Sequence, residues 1–184
     1  FTGPAQVWNF TQVDSDVGCV GMDAVCDTGK AHYFIGDDDL VTGDAPRLAR
    51  WARDQGVDAL YLTFPASYYW PDFDHRLRGD FYAGTVRVGA FSGEIRPHDP
   101  LRARAASARQ LGMGVLDMPR AYAGMISRDL ARRIIEKHGA LFGGVSPDIY
   151  SAALIAGECR SCMRVDFPIV VPGTLTADVV AHFK

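Results

Sequence analysis

The stretch AHYFIGDDDLVTGDAPRLARWARDQGVDALYLTFP, residues 31–65, narrows the possible folds more than any other. AHYFIG (31–36) is an apolar run of strand length. DAPRLARWARDQG (44–56) is punctuated as a helix: Asp44 at the N-cap, Pro46 in the first turn and Gly56 as the stop. Leu48, Trp51 and Ala52 share one face of that helix. VDALYLTFP (57–65) is the next strand. A strand, a covering helix and a strand in this order form a βαβ unit. The expectation is an α/β fold with a mixed, mainly parallel sheet flanked by helices.

The rest of the chain continues the alternation without repeats or low-complexity tracts. AQVWNFTQV (5–13) reads as a strand and VGCVGMDAVCDTG (17–29) as a helix closed by Gly29. GDFYAGTVRVGAF (79–91) is extended, and DPLRARAASARQLG (99–112) is a helix with Asp99 as cap, Pro100 at its first position and Gly112 as stop. GVLDMPRAYAGMIS (114–127) holds a strand and a loop. SRDLARRIIEKHG (127–139) is an amphipathic helix capped by Ser127, with His138 before the terminating Gly139. SPDIYSAALIAG (146–157) starts a helix with Ser146 and Pro147, and MRVDFPIVVPG (163–173) is extended and apolar.

The chain has 184 residues and a net charge of −3. One domain is expected, and the absence of a dominant basic field argues against a dedicated nucleic-acid binder. No apolar run is long enough to span a membrane. The first residue is Phe1, so the chain reads as processed or as a segment of something longer. Cys159 and Cys162 form a C-x-x-C pair, a spacing shared by redox and zinc sites. The pair follows a helix rather than opening one, and Cys19 and Cys26 lack the spacing of a second ligand pair, so structural, reduced thiols are expected. Reduced thiols favour a cytoplasmic setting.

Asp37, Asp38 and Asp39 follow the 31–36 strand directly. At a spacing of roughly 5–6 Å and an effective dielectric of about 20, each adjacent ionised pair repels by roughly 3 kcal/mol. A solvated turn relieves that by exposure, since Asp and Gly are turn residues. A divalent cation relieves it by coordination, since hard cations take carboxylate oxygens. The C-terminal end of a strand in an open α/β sheet is a ligand-binding address, which favours the second remedy.

GKAHYFIGDDDLV (29–41) resembles the acidic motif of family 2 glycosyltransferases of the GT-A fold. YYWPDF (68–73) resembles the Tyr/Trp-Pro loop of a subgroup associated with bacterial polysaccharides, LFGGVSPDIYSAALIA (141–156) resembles its S-P-D-x-Y segment, and FPIVVPGTLTAD (167–178) resembles the strand and turn after it. The resemblance spans most of the chain, most firmly from Gly29 onward. The family's opening strand–helix–strand, which holds base and ribose, is largely missing. Residues 1–65 therefore correspond to the end of the nucleotide-binding half and 66–184 to the acceptor-side half of a partial GT-A-like domain.

The resemblance implies a metal-dependent, inverting transfer of sugar from a nucleotide-diphosphate donor, a UDP-sugar foremost, to a saccharide or glycoconjugate acceptor. The setting would be cytoplasmic or peripheral at the inner membrane face. It assigns Asp37 or Asp38 to the ribose or sugar, and Asp39 with Asp37 to Mn²⁺ or Mg²⁺. Asp148, in the first turn of its helix where the dipole favours an anion, becomes the base for the acceptor hydroxyl. Tyr69 and Trp70 become an aromatic platform for a sugar ring, the other reading being a core Trp. His182 in VVAHFK is a third candidate metal ligand.

Two rivals stand beside this reading. GDDDLVTGD, with Asp37, Asp38 and Asp44, resembles the acidic strand end of haloacid-dehalogenase-like phosphatases, with Asp14 and Asp16 as the earlier pair. Only about twenty residues separate the two sites, too few for the intervening βα units. The other rival is a non-catalytic transferase remnant that binds saccharide or a partner protein.

Overall fold

Helix punctuation in the sequence sets where each helix begins. In a computed structural model of the chain the described residues are 31–34, 39–74, 77–110 and 114–174. The expected strand at 5–13 and helix at 17–29 lie outside them, as do Asp37, Asp38 and His182. Four helices are present among the described residues: α1 (Ala45–Asp54), α2 (Pro100–Arg109), α3 (Arg128–His138) and α4 (Pro147–Glu158). Ser127 caps α3 by accepting a hydrogen bond from the Leu130 N–H at 3.1 Å, and Asp99 caps α2 by accepting from the Arg102 N–H at 3.0 Å. Gly139 ends α3 at φ +85°, a left-handed conformation that glycine adopts without Cβ strain.

Asp44 and Ser146 occupy the N-cap positions of α1 and α4, but neither side chain makes the capping bond. At Asp44 the backbone is already helical (φ −83°, ψ −13°), and capping geometry requires an extended residue. Its carboxylate pairs with Arg47 at 3.3 Å instead.

The strands are β1 (Ala31–Phe34), β2 (Leu40–Val41), β3 (Ala59–Leu62), β4 (Ala66–Tyr69), β5 (Val86–Val88), β6 (Ile95–Pro97), β7 (Gly124–Ser127), β8 (Cys162–Val165), β9 (Val170–Val171) and β10 (Gly173–Thr174). Segment 79–91 is less extended than expected, because a 3₁₀ turn at Asp80–Tyr82 precedes β5. In 114–127 the loop comes first and the strand last.

The main sheet has the order β1-β7-β3-β8-β6. It is mixed, as expected, but the expectation of a mainly parallel sheet is corrected. Only β3 and β8 pair in parallel; β1–β7, β7–β3 and β8–β6 are antiparallel. The helix crossover between β1 and β3 does keep those two strands running the same way. β7 enters between them antiparallel, through the loop 114–123 rather than through a crossover helix. The C-terminal ends of β1, β3 and β8 therefore share one edge, and β7 begins there. Two smaller sheets complete the fold: β10-β4-β5, and β2 paired with β9.

Strand alternation separates the two faces. Ala59, Tyr61, Ile126 and Cys162 pack with Leu130 and Ile134 of α3 and Ile155 of α4. Leu60, Leu62, Met125 and Val165 pack with Leu48 and Ala52 of α1. Helix α2 is layered on α4 through Ala103, Ala152 and Ala156, with Met118 of the 114–123 loop between them.

Gly124, the first residue of β7, has to be glycine because a Cβ would run into the Arg120 backbone carbonyl. Backbone on one side and a sheet on the other leave that contact little room to relax. Gly124→Ala is expected to destabilise the fold by about 2–3 kcal/mol, the upper part of the overpacking range, measured as a lowered urea midpoint at unchanged slope.

Candidate functional site

The sheet edge that follows β1, β3 and β8 gathers a group of polar side chains around one buried tyrosine. Tyr61 of β3 is its centre. The phenol donates to Asp117 Oδ1 at 2.9 Å. Burial first, then the Asp117 carboxylate, push the Tyr61 hydroxyl above its usual pKa. His98 stacks on the ring, 4.8 Å between centroids and 16° between planes. Its Nε2 lies 2.7 Å from the Asp117 backbone carbonyl, an acceptor, so Nε2 carries the proton.

Two arginines flank the same tyrosine. Arg164 of β8 is the cross-strand partner of Tyr61, with its guanidinium 5.7 Å from the ring centroid. Arg120 is half-buried, lies over Phe64 at 4.9 Å, and feels Tyr61, Asp148 and Asp117. Burial holds its guanidinium below the usual arginine value.

The loop that carries Asp117 and Arg120 is fixed rather than slack. Met118, Pro119 and Ala121 are fully buried. Leu116 (φ +48°) and Ala123 (φ +51°) sit in the left-handed region on either side. Such strain in residues other than glycine persists where surrounding packing over-determines it, and it clusters at functional sites.

Asp166 and Thr63 extend the edge. Asp166 follows β8 and accepts from the Ser92 N–H (2.9 Å), the Ser92 hydroxyl (2.8 Å) and the Thr63 hydroxyl (3.0 Å). The Ser92 bonds hold its carboxyl below the ordinary Asp range. Asp39 lies half-buried just before β2 and accepts from the Gly173 N–H at 3.1 Å, which ties the acidic stretch to β10.

Of the residues singled out in the sequence, Asp148 stands exposed in the first turn of α4, within electrostatic reach of Arg120. Tyr69 and Trp70 are half-buried, so Trp70 is not a core residue. Tyr69 stacks on Tyr82 at 5.4 Å and meets Phe73 edge-on at 4.8 Å, while Trp70 meets Tyr68 edge-on at 5.0 Å. This aromatic group surrounds β4, apart from the Tyr61 cluster. Asp44, of the phosphatase reading, lies at the start of α1 in its Arg47 pair. No group of three or more His, Cys, Asp or Glu side chains is placed to hold a metal among the described residues, which exclude Asp37 and Asp38.

Cys159 and Cys162 are free thiols. Cys159 ends α4 and donates to the Ser161 carbonyl at 3.2 Å, and Cys162 is buried in β8. No helix among the described residues is long and apolar enough to cross a membrane.

Sequence reading missed Tyr61, His98, Asp117, Arg120 and Arg164. One signal was available: Arg164 interrupts the otherwise apolar strand CMRV, and a charge inside a largely apolar strand needs a reason. Arg120 and Asp117 gave none, because their loop acquires its position only through the tertiary fold.

Comparison of the chain with protein-family models, with curated proteins and with solved structures finds no match.

Proposed function

We propose that the chain is a metal-dependent glycosyltransferase domain of GT-A type, transferring sugar from a nucleotide-diphosphate donor, a UDP-sugar foremost, to a saccharide acceptor. The observation that carries the reading is a convergence. β1 and β8 end and β7 begins at one sheet edge; in sequence the acidic stretch follows β1, Asp166 follows β8 and the Arg120 loop precedes β7. Asp148, far along the chain, is brought into the field of Arg120.

Among the residues assigned to the cation, Asp39 is the one whose surroundings are described. Asp39 offers carboxylate oxygen beside a backbone N–H that fixes its orientation, and oxygen-only donors suit Mn²⁺ or Mg²⁺. When bound, such an ion stabilises the charge that gathers on a departing diphosphate. Asp39, with Asp37, holds it in this reading, and Asp37 or Asp38 contacts ribose or sugar. Asp148 takes the proton of the attacking hydroxyl, and the α4 N-terminus favours it as an anion. Tyr69 and Trp70 present aromatic surface to a sugar ring. The cytoplasmic face of a membrane is where such an enzyme would meet a glycoconjugate acceptor.

Calorimetry of Mn²⁺ with UDP tests the reading directly. Asp39→Ala is expected to weaken metal-dependent UDP binding about tenfold or more, the loss of one charged ligand. Equal binding by wild type and Asp39→Ala would remove Asp39 from the role.

A further inference from the structure

Positive charge accumulates beside Tyr61 with no carboxylate in ion-pair contact among the described residues, although Asp117, Asp148 and Asp166 lie within electrostatic reach. The ladder registers place Arg96 of β6 directly opposite Arg164 of β8, and Arg164 directly opposite Tyr61 of β3. Partners in register share a sheet face. Two like charges therefore face each other across an antiparallel pair, an arrangement that is destabilising by itself. Arg120 approaches the same tyrosine from the 114–123 loop. None of the three arginines forms an ion pair among the described residues. The Nε–H groups of Arg120 and Arg164 are buried and have no hydrogen-bond partner.

The nearby acids are committed elsewhere or stand apart. Asp117 receives the Tyr61 hydroxyl, and Asp166 accepts from Ser92 and Thr63 and reaches Arg164 only through space. Two half-buried guanidiniums, Arg120 and Arg164, each with a buried Nε–H that lacks a partner, are left without an ion pair, and desolvation is unfavourable until an anion pairs with them. Guanidinium forks match the geometry of phosphoryl and carboxylate oxygens.

We propose that Arg96, Arg120 and Arg164 form an oxyanion-binding subsite, and that the acceptor carries a phosphoryl or carboxylate group that docks there. Arg120 serves both this subsite and the field around Asp148, which puts the subsite on the acceptor side. That assignment rests on the transferase reading; the anion site does not.

The test is a titration of the chain with sodium phosphate, and separately with sodium glucuronate, in EDTA, with ionic strength matched by chloride. One of the two anions is expected to raise the melting temperature above the chloride control. Its affinity should fall about tenfold or more in Arg120→Gln and in Arg164→Gln, and by less in Arg96→Gln, whose side chain is exposed. Arg96→Gln keeps the comparison readable if a buried substitution fails to fold. No stabilisation over chloride by either anion, or undiminished affinity in all three variants, would overturn the site. The arm that binds tells phosphoryl from carboxylate recognition. A final titration adds UDP and Mn²⁺. Binding of both ligands together supports the acceptor assignment, whereas displacement of the anion moves the arginines to the donor side and overturns it. Failure of UDP to bind at all would sink the transferase reading and leave the anion result standing.

Discussion

Asp148→Asn is expected to lower the rate of sugar transfer by about 10²–10⁴-fold, the range of a positioned general base. Metal-dependent UDP binding should stay within about twofold of wild type, because in the proposed mechanism the substituted group acts on the acceptor hydroxyl and not on the donor. The substitution is close to isosteric and the side chain is exposed, so folding is expected to survive it. Two independent features favour the ionised form that the proposed role of Asp148 requires. It occupies the first turn of α4, where unpaired backbone N–H groups favour an anion. Tertiary packing also sets it in the field of Arg120, a guanidinium without a carboxylate partner of its own among the described residues. Single-turnover measurements with saturating UDP-sugar would separate the chemical step from binding. A variant that transfers at the wild-type rate would leave Asp148 as a helix-start residue and nothing more.

How far the sequence reached depended on the range of the interactions concerned. The α1, α2, α3 and α4 helices were legible because caps, prolines and terminal glycines act within one turn. Even there, the backbone decided which caps function: Asp99 and Ser127 close a hydrogen bond, while Asp44 and Ser146 do not. Strand existence was legible in AHYFIG and VDALYLTFP, but pairing was not. The βαβ pattern correctly implies that β1 and β3 run the same way. It carries no information that β7, some sixty residues beyond β3, comes between them.

The candidate site shows the same division. Asp39 and Asp148 stand out in the sequence through local context, one after a strand and one after a Ser-Pro helix start. The Tyr61–Asp117–His98 contacts join β3, the 114–123 loop and the approach to α2, and no local pattern encodes them. The row Arg96–Arg164–Tyr61 exists only because three strands adopt one register. Register follows from which face is buried, and here Cys162 and Ala59 fix that face by packing with α3 and α4. The same apolar alternation that builds the core thus lines up charged side chains nearer the edge where β3 and β8 end.

At the opposite end of β3 lies the second large effect: Asp58→Ala is expected to destabilise the fold by about 3 kcal/mol. Asp58 immediately precedes β3 and ties together three elements that meet there. One carboxylate oxygen accepts from Arg133 Nη2 of α3 at 2.8 Å and from the Arg160 N–H of the α4–β8 connection at 2.9 Å. The other lies 3.5 Å from the Ser127 hydroxyl, where β7 meets α3. The Asp58 carbonyl also takes the Ser127 N–H at 2.7 Å, a bond the substitution leaves in place. The side chains of Asp58 and Arg133 are 14% and 27% exposed, so truncating one leaves the other largely desolvated without its counter-charge. Breaking a buried pair in this way costs about 3–5 kcal/mol, and the partial exposure of Arg133 places this case at the lower end. Urea denaturation should show the midpoint falling at constant slope. Asp58→Ala combined with Arg133→Met should recover part of the loss, because the uncompensated charge goes with it. Remaining folded Asp58→Ala protein should transfer sugar at the wild-type rate, since Asp58 lies at the far end of β3 from Asp148 and the arginines. A loss below about 1 kcal/mol, typical of an exposed ion pair, would show that these elements hold together without the carboxylate.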